Sequence, residues 1–264
     1  MTPLISLKPF QCKYKISDRD LGETSFAGLA LVRETLREFG FVREMRFLGL
    51  KKAGFTDDVC LEALTLLLAS GGRSLSDWQY LQGDAGFVRM FGIVSVDTLE
   101  DYLRRLEVCE LSAGVTQDGG RSGYSALLER LHDRLIQKIY VLAGCPKELT
   151  FDVDATLIAT GKDSALYCYD GYQAYQPMVV YCPELGIVIG HEFRDGNINP
   201  RWGYLRMIER CRERVKLACE RSRNKFEDVK ITARSDSAGY DNTFIDHLHN
   251  QGMRYFITAA RHES

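Results

Sequence analysis

From about residue 149 the hydrophobic spacing of this chain stops being helical and becomes strand-like, and the elements then follow in a restrictive order. Three strand signals come first: "LTFDVDATLIA", "YQAYQPMVVYC" and "LGIVIGHEF". Pro183, Glu184 and Gly186 supply the turn between the second and third. A long helix over residues 202–222 follows, with an apolar stripe of Trp202, Leu205, Ile208, Val215 and Ala218. A fourth strand (228–236), a helix closed by Gly252 and a fifth strand (253–260) complete the series. Hairpin-linked strands followed by crossover helices predict a mixed five-stranded sheet with helices packed on it.

The first of these strands contains two acids, Asp152 and Asp154, in an otherwise apolar run. An ionised carboxylate in a dry interior costs several kcal/mol unless it is paired, hydrogen-bonded or metal-bound. The fourth strand ends on Asp236. If the first and fourth strands are neighbours, Asp154 and Asp236 project at one end of the sheet, where ligand sites of open α/β sheets lie. Two carboxylates brought together repel, and a hard divalent cation such as Mg2+ or Mn2+ removes the conflict. Two plainer readings stay open: Asp236 caps the helix that begins near Tyr240, and Asp152 pairs with a basic residue.

The preceding residues read mainly as helix. Stretches 28–39, 57–70, 95–107 and 124–140 repeat apolar residues at helical spacing, and a segment from Ser74 to Gln82 adds a shorter one. The helix at 95–107 has Ser95 as a cap candidate and Arg104-Arg105 on its polar side. It is either the reading helix of a helix-turn-helix, with 74–82 as its partner, or one more member of a bundle. The texture change predicts a helical region over 1–145 and an α/β region over 146–264.

Composition narrows the possibilities further. The longest apolar runs, such as "LTLLLA" from Leu64, are far shorter than the roughly 20 residues of a membrane helix. The N-terminus lacks the pattern of a signal peptide, so a cytoplasmic protein is expected. The eight cysteines form no CxxC pair, which disfavours a zinc ribbon, and His247 and His249 would diverge on a helix. Net charge is −2, yet residues 201–225 hold nine Lys or Arg against three Glu. Any nucleic-acid surface would therefore be a local stripe including Arg206 and Arg210, unless those side chains are merely solvated or paired with Glu209 and Glu213. Arg234, Arg194 and Asn197 stand closer to the strand ends and are the better-placed candidates for DNA-backbone contact.

The segments "VDATLI", "YQAYQPMVVYCPELGIVIGHEFRDGN" and "RSDSAGY", in that order, resemble bacterial insertion-sequence transposases of the DDE type, in particular the insertion sequence thirteen-eighty group. The resemblance covers about residues 149–240. It implies a ribonuclease-H-like catalytic core preceded by a helical DNA-binding or dimerising region. It maps the first catalytic Asp onto Asp154 and the second onto Asp236, both as metal ligands of a two-ion site. The implied chemistry is strand cleavage at the terminal inverted repeats of a transposon, followed by transfer of the freed 3′-hydroxyl to target DNA, with a homodimer as a possible assembly. The family's third carboxylate is a Glu on a later helix. Here Glu263 is the only Glu after Asp236, so the resemblance implies a C-terminally truncated chain. Such a fragment could act instead as a non-catalytic DNA-binding or dimerising inhibitor of a full-length transposase, and a nuclease without a transposon partner is a third reading.

Overall fold

The computed structural model describes residues 23–46, 48–51, 53–108, 114–115, 121–123 and 126–259. They fall into two compact units, one drawn from Ser6–Glu110 and the other from Leu111–Ser264. The division lies some thirty-five residues before the expected boundary at 145, because the last predicted helix of the first half packs into the α/β unit: its Ile136 and Tyr140 belong to the core of the sheet.

The first unit holds α1 (Leu29–Glu38), α2 (Phe41–Arg46), α3 (Asp57–Ala69), α4 (Trp78–Gly83), α5 (Ala85–Phe91) and α6 (Val96–Val108). Trp78 is its anchor: the ring is buried edge-on against Phe87, and the indole N–H donates to Val94 O at 2.6 Å. Two acids that open α3 are buried, and each has a partner. Asp57 accepts the backbone N–H groups of Leu50 and Lys51 at 2.9 and 3.1 Å, and Asp58 pairs with Arg46 at 2.8 Å. Ser95 caps α6 through Thr98 N–H, and Leu99, Tyr102 and Leu106 face inward. Between the two helices of the candidate helix-turn-helix lies α5, so α4 and α6 are not joined by a single turn. Arg104 and Arg105 reach Glu100 and Asp101 on α6 itself.

The second unit runs β1 (Gly114–Val115), β2 (Arg121–Gly123), α7 (Ala126–Leu142), β3 (Glu148–Ala155), β4 (Ile158–Ala159), β5 (Leu166–Tyr167), β6 (Gln173–Tyr175), β7 (Met178–Cys182), β8 (Ile187–Arg194), α8 (Tyr204–Arg221), β9 (Lys230–Ser235), α9 (Asn242–Asn250) and β10 (Arg254–Ile257). The main sheet has the order β1-β2-β8-β7-β3-β9-β10. Its five central strands are the expected ones: β8, β7 and β3 pair antiparallel, and β3, β9 and β10 pair parallel. Two short strands extend the β8 edge. The second predicted strand is broken at Gln176-Pro177, where proline removes a ladder donor, and its first half joins β4 and β5 in a separate three-stranded lobe.

Alternation along β3 sets the layering. Leu149, Phe151 and Val153 are buried against α7, α8 and α9, together with Met178, Val180 and Cys182 of β7 and Ile231 and Ala233 of β9. Each large apolar side chain so buried contributes about 1.5–3 kcal/mol. Thr150, Asp152 and Asp154 therefore point to the other face, and they are half-buried or exposed. The two acids of the opening strand are not core residues. No helix among the described residues is long and apolar enough to cross a membrane.

Candidate active site

β3 and β9 run parallel, with Asp152 beside Arg234 and Val153 beside Ser235. Asp154 and Asp236 each follow one residue beyond that last rung, at the ends of strands spaced about 4.8 Å apart. Both acids are exposed. The hydroxyl of Thr156 donates to Asp154 Oδ2. Asp236 Oδ1 accepts the backbone N–H of Ala238 at 3.0 Å and the hydroxyl of Tyr204 at 3.4 Å. The buried Tyr204 phenol is held well above its ordinary pKa, first by burial and then by the negative charges of Asp236 and Asp154. One hydroxyl thus feels both carboxylates.

The plainer readings of the acids divide between them. Asp152 pairs with Arg234, whose Nε lies 3.4 Å from Asp152 Oδ1 and whose Nη2 is closer still, and that carboxylate raises the pKa of the guanidinium. Asp236 does cap a turn, the single 3-10 turn Ser237–Gly239, but α9 is capped by Asp241, which accepts Phe244 N–H at 3.0 Å. Asp154 serves neither purpose. Two exposed carboxylates just beyond the last rung, with the nearby Arg234 directed at Asp152, offer oxygens of the type that hard divalent cations take.

The arginines expected at DNA have partners within the protein. Arg194 is fully buried: its Nε and Nη2 donate to Gln176 O and Oε1, both at 2.9 Å, and its Nη1 to Trp202 O at 2.7 Å. Arg206 grips both oxygens of Glu192 at 2.7 Å while lying over the Trp202 ring. Arg210 donates to Glu129 Oε1 at 3.0 Å and to His191 O at 2.7 Å. Arg214 continues the row to Glu129, Asp133 and Ile189 O. The basic stripe of α8 is, over these three positions, a clasp onto α7 and β8. The i, i+4 spacing was legible, but which way the row faced was not. Arg234 is half-exposed and directed at Asp152. Asn197 is half-buried and lines a groove of about 430 Å3 with Tyr169, Gly196, Ile198, Asn199 and Pro200. Glu263 lies outside the described residues.

A second group of ligand-type atoms, from Glu129, His132 and His191, lies within 4.8 Å of one another. Glu129 is already held by Arg210 and Arg214, and burial depresses both imidazoles, His191 to about 4. We read this group as part of the ionic clasp.

Sequence reasoning overlooked Tyr204. The signal was topological: β8 runs parallel to β3, so the helix that follows β8 must begin at the edge of the sheet where Asp154 lies.

A mixed sheet with helices packed on it is an α/β fold of the kind whose ligands bind beyond the carboxyl ends of the strands, the edge at which Asp154 and Asp236 lie. The sequence model of one family, the transposase DDE domain group 1, matches residues 15–264. The chain belongs to that family, whose domains generally use divalent metal ions and whose substrates are DNA. A search of curated proteins returns no match.

Proposed function

We propose that Asp154 and Asp236 are the first two metal-binding carboxylates of this transposase domain, and that the chain belongs to the insertion sequence thirteen-eighty group. The single observation that supports the site is the β3–β9 register, whose last rung pairs Val153 with Ser235, the residues immediately before the two acids. Mg2+ or Mn2+ at a two-ion site would supply activation of a nucleophile and stabilisation of the leaving oxygen in phosphodiester cleavage and strand transfer. The chain's own part is positional. Thr156 orients Asp154, the turn after β9 orients Asp236, and the Arg234–Asp152 pair sits one step back along the same two strands. The DNA substrates are the terminal inverted repeats of a transposon and its target.

The test is isothermal titration with Mn2+ of the wild type and Asp154→Asn. Loss of binding in the variant is expected, and equal affinity in both proteins defeats the assignment. Nicking of terminal-repeat DNA in Mg2+ then separates an active domain from a DNA-binding or dimerising inhibitor.

A further inference from the structure

Beside the proposed carboxylate pair stands a residue that comes from neither of its strands. Tyr204 is the first residue of α8, and its side chain is almost wholly buried although its hydroxyl sits at the strand edge. Gly203 precedes it at φ 92°, a left-handed conformation open to glycine at no steric cost, and this turns the chain so that Tyr204 enters the helix facing inward. The ring packs on Phe244 of α9, with centroids 5.7 Å apart. It also lies on the turn after β9. A Cβ at position 239 would stand only 2.0 Å from Ser235 Oγ and 3.0 Å from Ser235 Cβ, so glycine lets the turn that carries Asp236 fold tightly onto the end of β9, with Tyr204 Cε2 in ordinary contact at 3.5 Å.

A phenol needs such an arrangement only if its polar end has work to do. The packing that buries Tyr204 also aims its hydroxyl at Asp236 Oδ1, 3.4 Å away, and within the electrostatic reach of Asp154. Phenylalanine would fill the same space against Phe244 and Gly239. What it would lack is the donor.

We propose that Tyr204 is a positioning residue of the carboxylate pair: by donating to Asp236 Oδ1 from a side chain locked between α9 and the 237–239 turn, it fixes the orientation in which Asp236 takes up a divalent cation. This rests on the reading of Asp154 and Asp236 as metal ligands. Second partners that orient ligating carboxylates typically change metal affinity by about 10–100-fold when removed.

The experiment is Mn2+ titration of the whole chain as wild type, Tyr204→Phe and Asp154→Asn, with thermal melts and the electron paramagnetic resonance spectrum of the bound ion. Tyr204→Phe should melt close to the wild type, bind Mn2+ about 10–100-fold more weakly, and change the zero-field splitting of what it binds. A purely structural hydroxyl would move neither affinity nor splitting. Wild-type affinity and splitting in Tyr204→Phe, with binding lost in Asp154→Asn, overturns the positioning role and leaves the carboxylate pair standing. Wild-type affinity in Asp154→Asn removes the pair and this inference together. Should Tyr204→Phe melt early, the splitting measured below its transition still decides the matter.

Discussion

Replacing Arg194 with methionine separates a structural arginine from a DNA-contacting one. The guanidinium is fully buried and makes three hydrogen bonds, to Gln176 O, Gln176 Oε1 and Trp202 O. Each buried acceptor left without a donor costs about 1–3 kcal/mol, so three cost about 3–9 kcal/mol before relaxation. Methionine fills much of the vacated volume and removes the cost of burying a cation, which brings the expected loss to the lower half of that range, about 3–5 kcal/mol. For a unit of this size that is a fall in melting temperature of about 6–20 °C. Urea unfolding followed by circular dichroism measures the loss directly. A surface phosphate contact behaves in the opposite way: stability stays within about 0.5 kcal/mol, while the slope of log affinity against log salt drops by about 0.9. An unchanged urea midpoint with a reduced salt slope would refute the structural role.

Asp152→Asn should cost at most about 1 kcal/mol, because its pair with Arg234 is half-exposed, and should weaken Mn2+ binding by releasing the Arg234 cation beside the carboxylate pair; paired urea and titration experiments check both halves. Stability should also fall on mild acidification. His191 is depressed from 6.5 to about 4 in the folded protein, chiefly by burial and then by His132 and Arg210. Between those values the unfolded chain holds the extra proton, so the contribution is fully present above pH 6.5 and is lost as pH falls towards 4. Urea midpoints at intervals from pH 7 to 4.5 should show this decline, and His191→Asn should flatten it; an identical slope in the variant counts against the burial of a neutral imidazole.

The five central strands were legible because each carries enough apolar residues at period two to be found alone, whereas the adjacency of β3 and β9 entered only as a condition, and the fold supplies it. Pairing also explains why the acids could be singled out: a carboxylate in a strand pattern is conspicuous. Other features were hidden for identifiable reasons. The stripe expected on α8 used Trp202 and Leu205, but the helix starts at Tyr204, and its buried row is Tyr204, Met207, Ile208, Cys211, Arg214, Val215, Ala218 and Cys219. A positive φ at Gly203 and a buried arginine in the middle of the row both defeat a reading based on hydrophobic period. Arg194, Arg206 and Arg210 look like surface cations in one dimension. Their acceptors are Gln176, Trp202, Glu192, Glu129 and His191, some only a few residues away and others far along the chain, and only the fold brings them within reach.

The geometry of the site is in the end a consequence of register, and register is held by the core. Leu149 lies beside Ile231, Phe151 beside Ala233 and Val153 beside Ser235, with a large residue of β3 set against a small one of β9 at two of the three positions. A slip of one residue between β3 and β9 would turn Ile231 and Ala233 out of the core and bring Arg234 into it. That penalty falls on the apolar face, yet it fixes which polar residues meet beyond the last rung. Since β8 is parallel to β3, the start of α8 is delivered to the same edge, and Tyr204 arrives with it. Three residues far apart in the chain thus come to one edge of the sheet through a hydrophobic pattern whose apolar side chains lie on its other face.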